Sequence, residues 1–207
     1  MNAQTQLLTL PGPAGAIACA IDEPEGEARA VLVVCHPHPL HGGTMDNKVV
    51  QTIARAGVRL GARSVRFNFR GVGGSAGQWD DGRGEIDDAL AVISDRREAA
   101  LPLWLAGFSF GGYVAASAAA RLATGGQGPQ RLALIAPSTQ KQSVPAVPAD
   151  TLVIHGEADE VVPLAATLDW ARPQVLPVVV VPGGGHFFHG QLGLLRNLVH
   201  NAWSASP

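Results

Sequence analysis

The chain has 207 residues and a formal net charge of −2, and 46% of its residues are hydrophobic. This length suits one domain, residues 1–207, built around one sizeable core. The charge provides no basic field for nucleic acid, and no apolar run is long enough to span a bilayer, so nucleic-acid and membrane proteins are disfavoured. The first residues lack the features of a secretory signal and the two cysteines form no C-x-x-C pair, so we expect a cytoplasmic protein.

The strand-like segments fall into two groups. The first two, residues 6–10 and 16–22, are joined by Pro11-Gly12-Pro13, which predicts an antiparallel hairpin at a sheet edge. The other six are short apolar runs, typical of parallel strands covered on both faces. These six runs lie at residues 30–35, 64–69, 103–108, 131–135, 151–155 and 175–181.

Helical patterns separate the apolar runs. The spacing of apolar residues predicts a helix that begins near Asp46 or Asn47 and a second helix at residues 85–97. An alanine-rich stretch at residues 110–123 and a late stretch at 192–199 predict two more. This alternation predicts an α/β fold with a mostly parallel, twisted sheet of about eight strands and helices on both faces.

The pattern G-x-S-x-G occurs twice, around Ser75 and around Ser109. In a nucleophile elbow the chain turns sharply from a strand into a helix, so the neighbours of the serine must be small. Ser109 directly follows an apolar strand and directly precedes a helical stretch, whereas Ser75 has neither neighbour in place. We therefore predict that Ser109 is the nucleophile and that Ser75 belongs to a glycine-rich loop.

Candidate partners for a serine nucleophile follow the last two predicted strands. Functional groups gather beyond the carboxyl ends of parallel strands, where Glu157, Asp159 and Glu160 follow one strand and His186 the next. We predict Asp159 as the acid, with Glu157 and Glu160 as alternatives. We predict His186 as the base, because three glycines allow a tight turn before it, and His189 is its rival.

The loop at residues 36–43 has the sequence His-Pro-His-Pro-Leu-His-Gly-Gly. It follows the third strand, where an α/β-hydrolase places half of its oxyanion hole. The other half would be the backbone amide of Phe110, the residue after the nucleophile. Because proline has no N–H, the donor in the loop is His38 or Leu40, and the sequence does not choose between them.

Two other interpretations of these loops are weaker. The histidines of the 36–43 loop nearly match a zinc-hydrolase signature, but Leu40 stands where that signature has aspartate. We expect His36 and His38 to bond to loop backbone instead. Residues 71–76 match the dinucleotide fingerprint G-x-G-x-x-A, but glycines interrupt the helix that this site needs directly behind it.

Together these motifs resemble the small lidless bacterial α/β-hydrolases, which are related to dienelactone hydrolases and to the catalytic domain of prolyl oligopeptidases. The resemblance implies an α/β-hydrolase fold without a cap domain, a triad of Ser109, Asp159 and His186, and no metal or organic cofactor. It covers nearly the whole chain. The segments that carry it are residues 36–43, 67–75, 107–111, 155–159 and 185–189.

The segment at residues 136–150, where many relatives insert a cap, is short. We therefore expect an open cleft and a small-molecule acyl ester as substrate, cleaved through an acyl-enzyme by a carboxylesterase. One alternative is a thioesterase or peptidase-like acyl hydrolase with the same triad. An alternative of another class is a hydrolase-like protein that binds a ligand without chemistry. The oligomeric state stays open.

Overall fold

The computed structural model describes residues 5–204, so residues 1–4 and 205–207 of the predicted domain lie outside the described residues. Within this described range, eight strands form one sheet. They are β1 (Gln6–Gly12), β2 (Gly15–Asp22), β3 (Ala30–Cys35), β4 (Ala62–Phe67), β5 (Leu103–Phe108), β6 (Arg131–Ile135), β7 (Leu152–Gly156) and β8 (Val178–Val181).

The order of the strands across the sheet is β1-β2-β4-β3-β5-β6-β7-β8. β1 pairs antiparallel with β2, and β2 pairs antiparallel with β4. All other neighbours are parallel. The prediction of a mostly parallel sheet of about eight strands with an N-terminal hairpin at one edge is confirmed.

Helices cover both faces of the sheet. The α-helices within residues 5–204 are α1 (Lys48–Arg59), α2 (Arg83–Arg96), α3 (Phe110–Thr124), α4 (Leu164–Ala171) and α5 (Leu192–Ser204). Successive residues of β3 point to opposite faces, so Val33 packs in the core beneath α2 and α3, and Leu32 packs in the core beneath α1 and α5. Residues 136–150 contain neither helix nor strand, so no cap domain covers the sheet there.

The structure corrects the two predicted strands at residues 64–69 and 175–181. β4 begins at Ala62 and ends at Phe67, because the chain leaves the sheet there and the Phe69 amide donates to the side chain of His36. β8 begins only at Val178. Val175 has a φ of 53°, which belongs to a left-handed turn rather than to a strand.

All six apolar runs were predicted to form strands covered on both faces. This prediction is wrong for β8. This strand has four residues and lies at the edge of the sheet. Val179 and Val180 are 36% and 38% exposed, which shows that the second face is only partly covered.

Helix α4 was not predicted from the sequence. Its N-cap is Pro163, which makes no side-chain capping bond, and its buried residues are Thr167 and Ala171. A helix without a capping signal and with so narrow a buried face leaves little trace in the pattern of apolar residues.

Among residues 5–204, no helix combines the length and the apolar character that crossing a membrane would require.

The second G-x-S-x-G match is a buried structural link. The Ser75 hydroxyl accepts a hydrogen bond from the Ala18 amide at 3.0 Å and donates one to the Asn68 carbonyl at 2.7 Å. These two bonds fasten the glycine-rich loop after β4 to strand β2. The loop therefore holds neither an elbow nor the helix that a dinucleotide site needs directly behind its glycines.

We expect Ser75→Ala to lower the free energy of unfolding by about 1–3 kcal/mol, because the variant leaves the buried Asn68 carbonyl without its donor and the partly buried Ala18 amide without its acceptor. Urea denaturation at pH 7 measures this change. Ser143→Ala is the matched control, since Ser143 is exposed. Equal stability of the two variants would contradict the structural role of the Ser75 hydroxyl.

Candidate active site

Ser109 lies at the turn between β5 and α3, with φ and ψ of 55° and −117°. A residue other than glycine seldom has a positive φ, so this backbone is strained. Three backbone hydrogen bonds stabilise this conformation. The Ser109 amide donates to the Ile135 carbonyl at 2.9 Å, and the Ser109 carbonyl accepts from the amides of Gly112 and Ser138. The predicted sharp turn from strand to helix is present at this serine.

The glycines on either side of Ser109 are required by close packing. A Cβ atom on Gly107 would lie 2.0 Å from the carbonyl oxygen of Gly111, and a Cβ atom on Gly111 would lie 2.3 Å from the carbonyl oxygen of Cys35. No side chain fits at such distances. The spacing G-x-S-x-G therefore expresses backbone crowding at the turn.

The loops that follow β7 and β8 are bonded to each other. The Glu157 amide donates to the Val181 carbonyl at 3.0 Å, and the Ala158 amide donates to the Gly184 carbonyl at 2.9 Å. A Cβ atom on Gly156 would lie 2.3 Å from that same Gly184 oxygen. This close pairing brings the acid-bearing loop beside the histidine-bearing loop.

His186 and Asp159 meet at this junction. The distance from His186 Nδ1 to Asp159 Oδ2 is 2.7 Å, and the other carboxylate oxygen accepts from the amides of Val161 and Val162. Because an ionised carboxylate only accepts, the hydrogen of this bond belongs to His186 Nδ1. In the neutral ring, Nε2 is then free to take a proton.

Asp159 is held as a carboxylate. Burial opposes its ionisation, but hydrogen bonds from His155, from His186 and from the Val162 amide outweigh burial and hold the pKa of Asp159 well below its usual range. The negative charge is therefore present at neutral pH. It stabilises a positive charge on His186.

The alternative acids and the alternative base take other positions. Glu157 accepts a hydrogen bond from the Gly183 amide at 2.9 Å and is exposed. Glu160 and His189 are also exposed. Asp159 is the carboxylate that contacts a histidine of the site.

Ser109 and His186 line the same cavity, which has a volume of about 270 Å³. Phe110, His38 and Lys141 also line it. No hydrogen bond joins Ser109 Oγ to His186 in the part of the chain that the structure describes. In enzymes without substrate such a bond is often long and tightens only when the substrate is bound.

The candidate oxyanion donors differ in their contacts. The Leu40 amide donates to His38 Nδ1 at 3.2 Å, and the exposed Leu40 side chain does not line the cavity. The amides of Phe110 and His38 have no hydrogen-bond partner within residues 5–204, and both residues line the cavity. This geometry favours Phe110 and His38 as donors and weighs against Leu40, whose amide is occupied.

Both ring nitrogens of His36 are bonded to backbone. Nδ1 donates to the Pro37 carbonyl at 2.6 Å, and Nε2 accepts from the Phe69 amide at 3.0 Å. The interpretation that His36 shapes the loop is confirmed, and the ring has no free nitrogen for a metal. Burial, partly opposed by the bond to Pro37, lowers the pKa of His36 to about 3.

His38 forms part of an aromatic wall. Its ring centroid lies 4.5 Å from that of Trp79 and 5.2 Å from that of Phe110. Burial and the nearby His41 and Lys141 lower the pKa of His38, which favours its neutral ring. His38 therefore contributes a neutral surface to the cavity.

Sequence reasoning missed His155 as a member of the site. This fully buried ring places Nε2 at 2.9 Å from the Val162 carbonyl and at 3.4 Å from Asp159 Oδ2. Because a carbonyl only accepts, Nε2 carries a hydrogen, which lies between the carbonyl and the carboxylate. The sequence signal was a histidine four residues before the acid at the end of a strand.

Known proteins resemble this chain over its full length. The chain is similar to an α/β serine hydrolase without a lid from Xanthomonas campestris, with 42% identity, coverage of 100% of this chain and 99% of that one, and a TM-score of 0.89. It is similar to an α/β serine hydrolase homologue from Coxiella burnetii, with 40% identity, coverage of 95% and 96%, and a TM-score of 0.83. The chain belongs to the lidless α/β serine hydrolases. The predicted family and fold are thereby confirmed.

Two shorter matches agree with this family. A family model for a thioesterase domain matches residues 86–169 of this lidless α/β serine hydrolase. An uncharacterised protein from Rickettsia prowazekii is 39% identical over 107 residues, which are 50% of this chain. The match spans 45% of that curated relative. These matches and the solved structures support a hydrolase function at the level of the reaction class.

We expect His155→Leu to raise the pKa of Asp159 towards the usual range of an aspartate, because leucine removes a donor from the carboxylate. His155→Gln keeps an N–H donor and is expected to preserve the low pKa. Carboxyl-carbon NMR titration measures both values, with the exposed Asp169 as an internal reference. Identical Asp159 titrations in the two variants would remove His155 from this network.

The buried neutral His36 makes stability depend on pH. Its pKa falls from 6.5 to about 3 in the native protein, so between these values the unfolded chain binds more protons and stability decreases as pH falls. We expect His36→Asn to reduce the slope of unfolding free energy against pH by up to about 1.4 kcal/mol per pH unit. Urea denaturation between pH 7 and pH 4 measures the slope. The exposed His189→Gln variant should keep the wild-type slope, and an unchanged slope in His36→Asn would refute the assignment.

Proposed function

We propose that this protein hydrolyses small carboxylic esters through an acyl-enzyme, with Ser109 as nucleophile, His186 as base and Asp159 as the acid that orients the base. The observation that carries the proposal is the 2.7 Å contact between His186 Nδ1 and Asp159 Oδ2. It lies beside a cavity that Ser109 and His186 share. The two full-length relatives, both described as α/β serine hydrolases or homologues, support the same reaction class.

In the first half of the reaction, Ser109 Oγ forms a bond to the carbonyl carbon of the ester while His186 Nε2 accepts the hydroxyl proton. The carbonyl oxygen gains negative charge, which the amides of Phe110 and His38 stabilise by donating hydrogen bonds. The carboxylate of Asp159 stabilises the imidazolium that forms. The tetrahedral adduct then loses its alcohol, which takes the proton from Nε2, and an acyl group remains on Ser109.

In the second half, water replaces the alcohol. His186 Nε2 accepts a proton from the attacking water, and the same two amides stabilise the second tetrahedral adduct. Collapse of this adduct breaks the bond to Ser109 Oγ, which recovers its proton from Nε2. The products are the carboxylic acid and the free enzyme.

The proposed preference for small esters rests on the shape of the cavity. Its volume of about 270 Å³ lies just below the range of about 300–1,000 Å³ that is usual for small-molecule sites. Phe187 and Val161 contribute apolar, partly exposed surface to its walls. A short acyl chain fits this space and gains contact with the apolar wall, whereas a long chain would extend into solvent.

A thioester is the second candidate substrate. The thioesterase-domain match at residues 86–169 favours it, and the same three side chains perform the reaction with a thiol in place of the alcohol.

We expect Ser109→Ala to lower kcat/KM for p-nitrophenyl acetate by a factor of about a thousand or more, because the nucleophile is removed. Circular dichroism should show an intact fold, and Ser143→Ala should retain full activity. A fluorophosphonate should label the wild type at Ser109 and leave the Ser109→Ala variant unlabelled. Folded wild type that neither reacts with the probe nor turns over any acyl substrate would indicate a binding protein instead.

A matched substrate panel separates the two candidate bonds. We expect phenyl acetate to be hydrolysed with a higher kcat/KM than phenyl thioacetate and acetanilide, which present the same acyl group on sulfur and on nitrogen. Steady-state kinetics at pH 7.5 measure the three values. A kcat/KM for the thioester that exceeds that for the ester tenfold or more would indicate that the protein is a thioesterase.

A further inference from the structure

A second cavity, of about 320 Å³, is lined largely by arginines. Its wall includes Arg55 and Arg59 of α1, Arg66 of β4 and Arg196 of α5, and Asp22 is the one carboxylate among the lining residues that the structure describes. None of these residues lines the cavity that contains Ser109. The arginine cavity is therefore a separate site on the face of the sheet where α1 and α5 pack.

The charge of the arginine cavity contrasts with that of the whole protein. Within residues 5–204, its walls carry four guanidinium groups and one carboxylate, whereas the chain as a whole has a net charge of −2. Arg55 and Arg59 are four residues apart on α1, so they lie on the same side of the helix. Like charges gathered in a concave site repel one another and attract anions.

Arg66 is paired with Asp22 and also contacts Asp46, a carboxylate that does not line the cavity. Its side chain is almost fully buried, Nη2 lies 3.1 Å from Asp22 Oδ2, and Nη1 donates to the Met45 carbonyl and to Asp46. Arg66 and Asp22 thus satisfy each other, and Asp22 is not available to balance the remaining arginines.

The other three arginines have donors to spare. Arg55 donates one hydrogen bond to Gln51 Oε1 at 3.0 Å. The side chains of Arg59 and Arg196 form neither a hydrogen bond nor an ion pair with any residue between 5 and 204, and Arg196 Nε is buried without an acceptor in that range. Arg55 and Arg59 are exposed and Arg196 is half-buried. A guanidinium has five N–H donors and no acceptor, so these three side chains are able to donate hydrogen bonds to an anion that enters the cavity.

We propose that the arginine cavity binds the phosphate group of a small anionic molecule. A phosphate offers several acceptor oxygens and negative charge, and the planar fork of a guanidinium pairs with two of those oxygens at once. The small, concave shape of the site suits a free phosphorylated molecule rather than a polymer. This site is independent of the proposed hydrolytic function.

Isothermal titration with inorganic phosphate and with glycerol 3-phosphate tests the proposal, at constant ionic strength with chloride as the reference anion. We expect both phosphates to bind the wild type. In the double variant Arg59→Gln/Arg196→Gln the Kd should rise at least about tenfold, which corresponds to one charge-assisted contact. Arg172→Gln is the matched control, because Arg172 is exposed and lies outside the cavity. Its Kd should equal that of the wild type.

Further variants locate the bound phosphate and keep the test decisive. Ser109→Ala and Lys141→Ala alter the other cavity and should leave phosphate binding unchanged. If the double variant does not fold, Arg59→Gln alone, at an exposed position, should still weaken binding severalfold.

Three results would overturn the proposal. The first is wild type that binds phosphate no better than chloride. The second is binding that is lost in Lys141→Ala but kept in the double variant. The third is sedimentation with phosphatidate vesicles without affinity for free phosphate, which would indicate a lipid surface instead.

Discussion

The candidate site depends on one backbone contact, between the carboxyl end of β3 and the first turn of α3. Because Gly111 has no side chain, the first turn of α3 lies against the carbonyl of Cys35. The amide of Phe110 and the loop that begins at His36 therefore border the same small space. A side chain on Gly111 would push the helix outwards and separate the Phe110 amide from the loop that contains His38.

Dense hydrogen bonding performs the same positioning task for the charged half of the site. One carboxylate oxygen of Asp159 accepts hydrogen bonds from two backbone amides, and the other faces the side chains of His186 and His155. Glu157 and Glu160, on the same loop, are exposed instead. The histidine receives an orienting partner that is itself held by the fold.

Hydrophobic patterns and the gathering of loops beyond the carboxyl ends of parallel strands were predictable from the sequence, whereas individual side-chain contacts within those loops were not. The apolar runs indicated the parallel sheet, and the context of Ser109 separated it from Ser75. The bond from the Leu40 amide to His38 depends on a side-chain rotamer that no pattern of residues encodes. The contact of His155 with Asp159 likewise depends on the buried orientation of the His155 side chain at the end of β7. Helix α4 was missed because its first turn has no side-chain capping bond.

The short edge strand β8 has a consequence for the behaviour of the protein at high concentration. An open sheet edge offers unpaired amides and carbonyls on which another chain can add a strand. Here the edge is only four residues long, from Val178 to Val181, and Pro177 and Pro182 bracket it. Proline supplies no amide hydrogen, so a foreign strand finds too few bonds to continue the sheet. The short, proline-flanked edge therefore disfavours intermolecular strand pairing at the partly exposed Val179 and Val180.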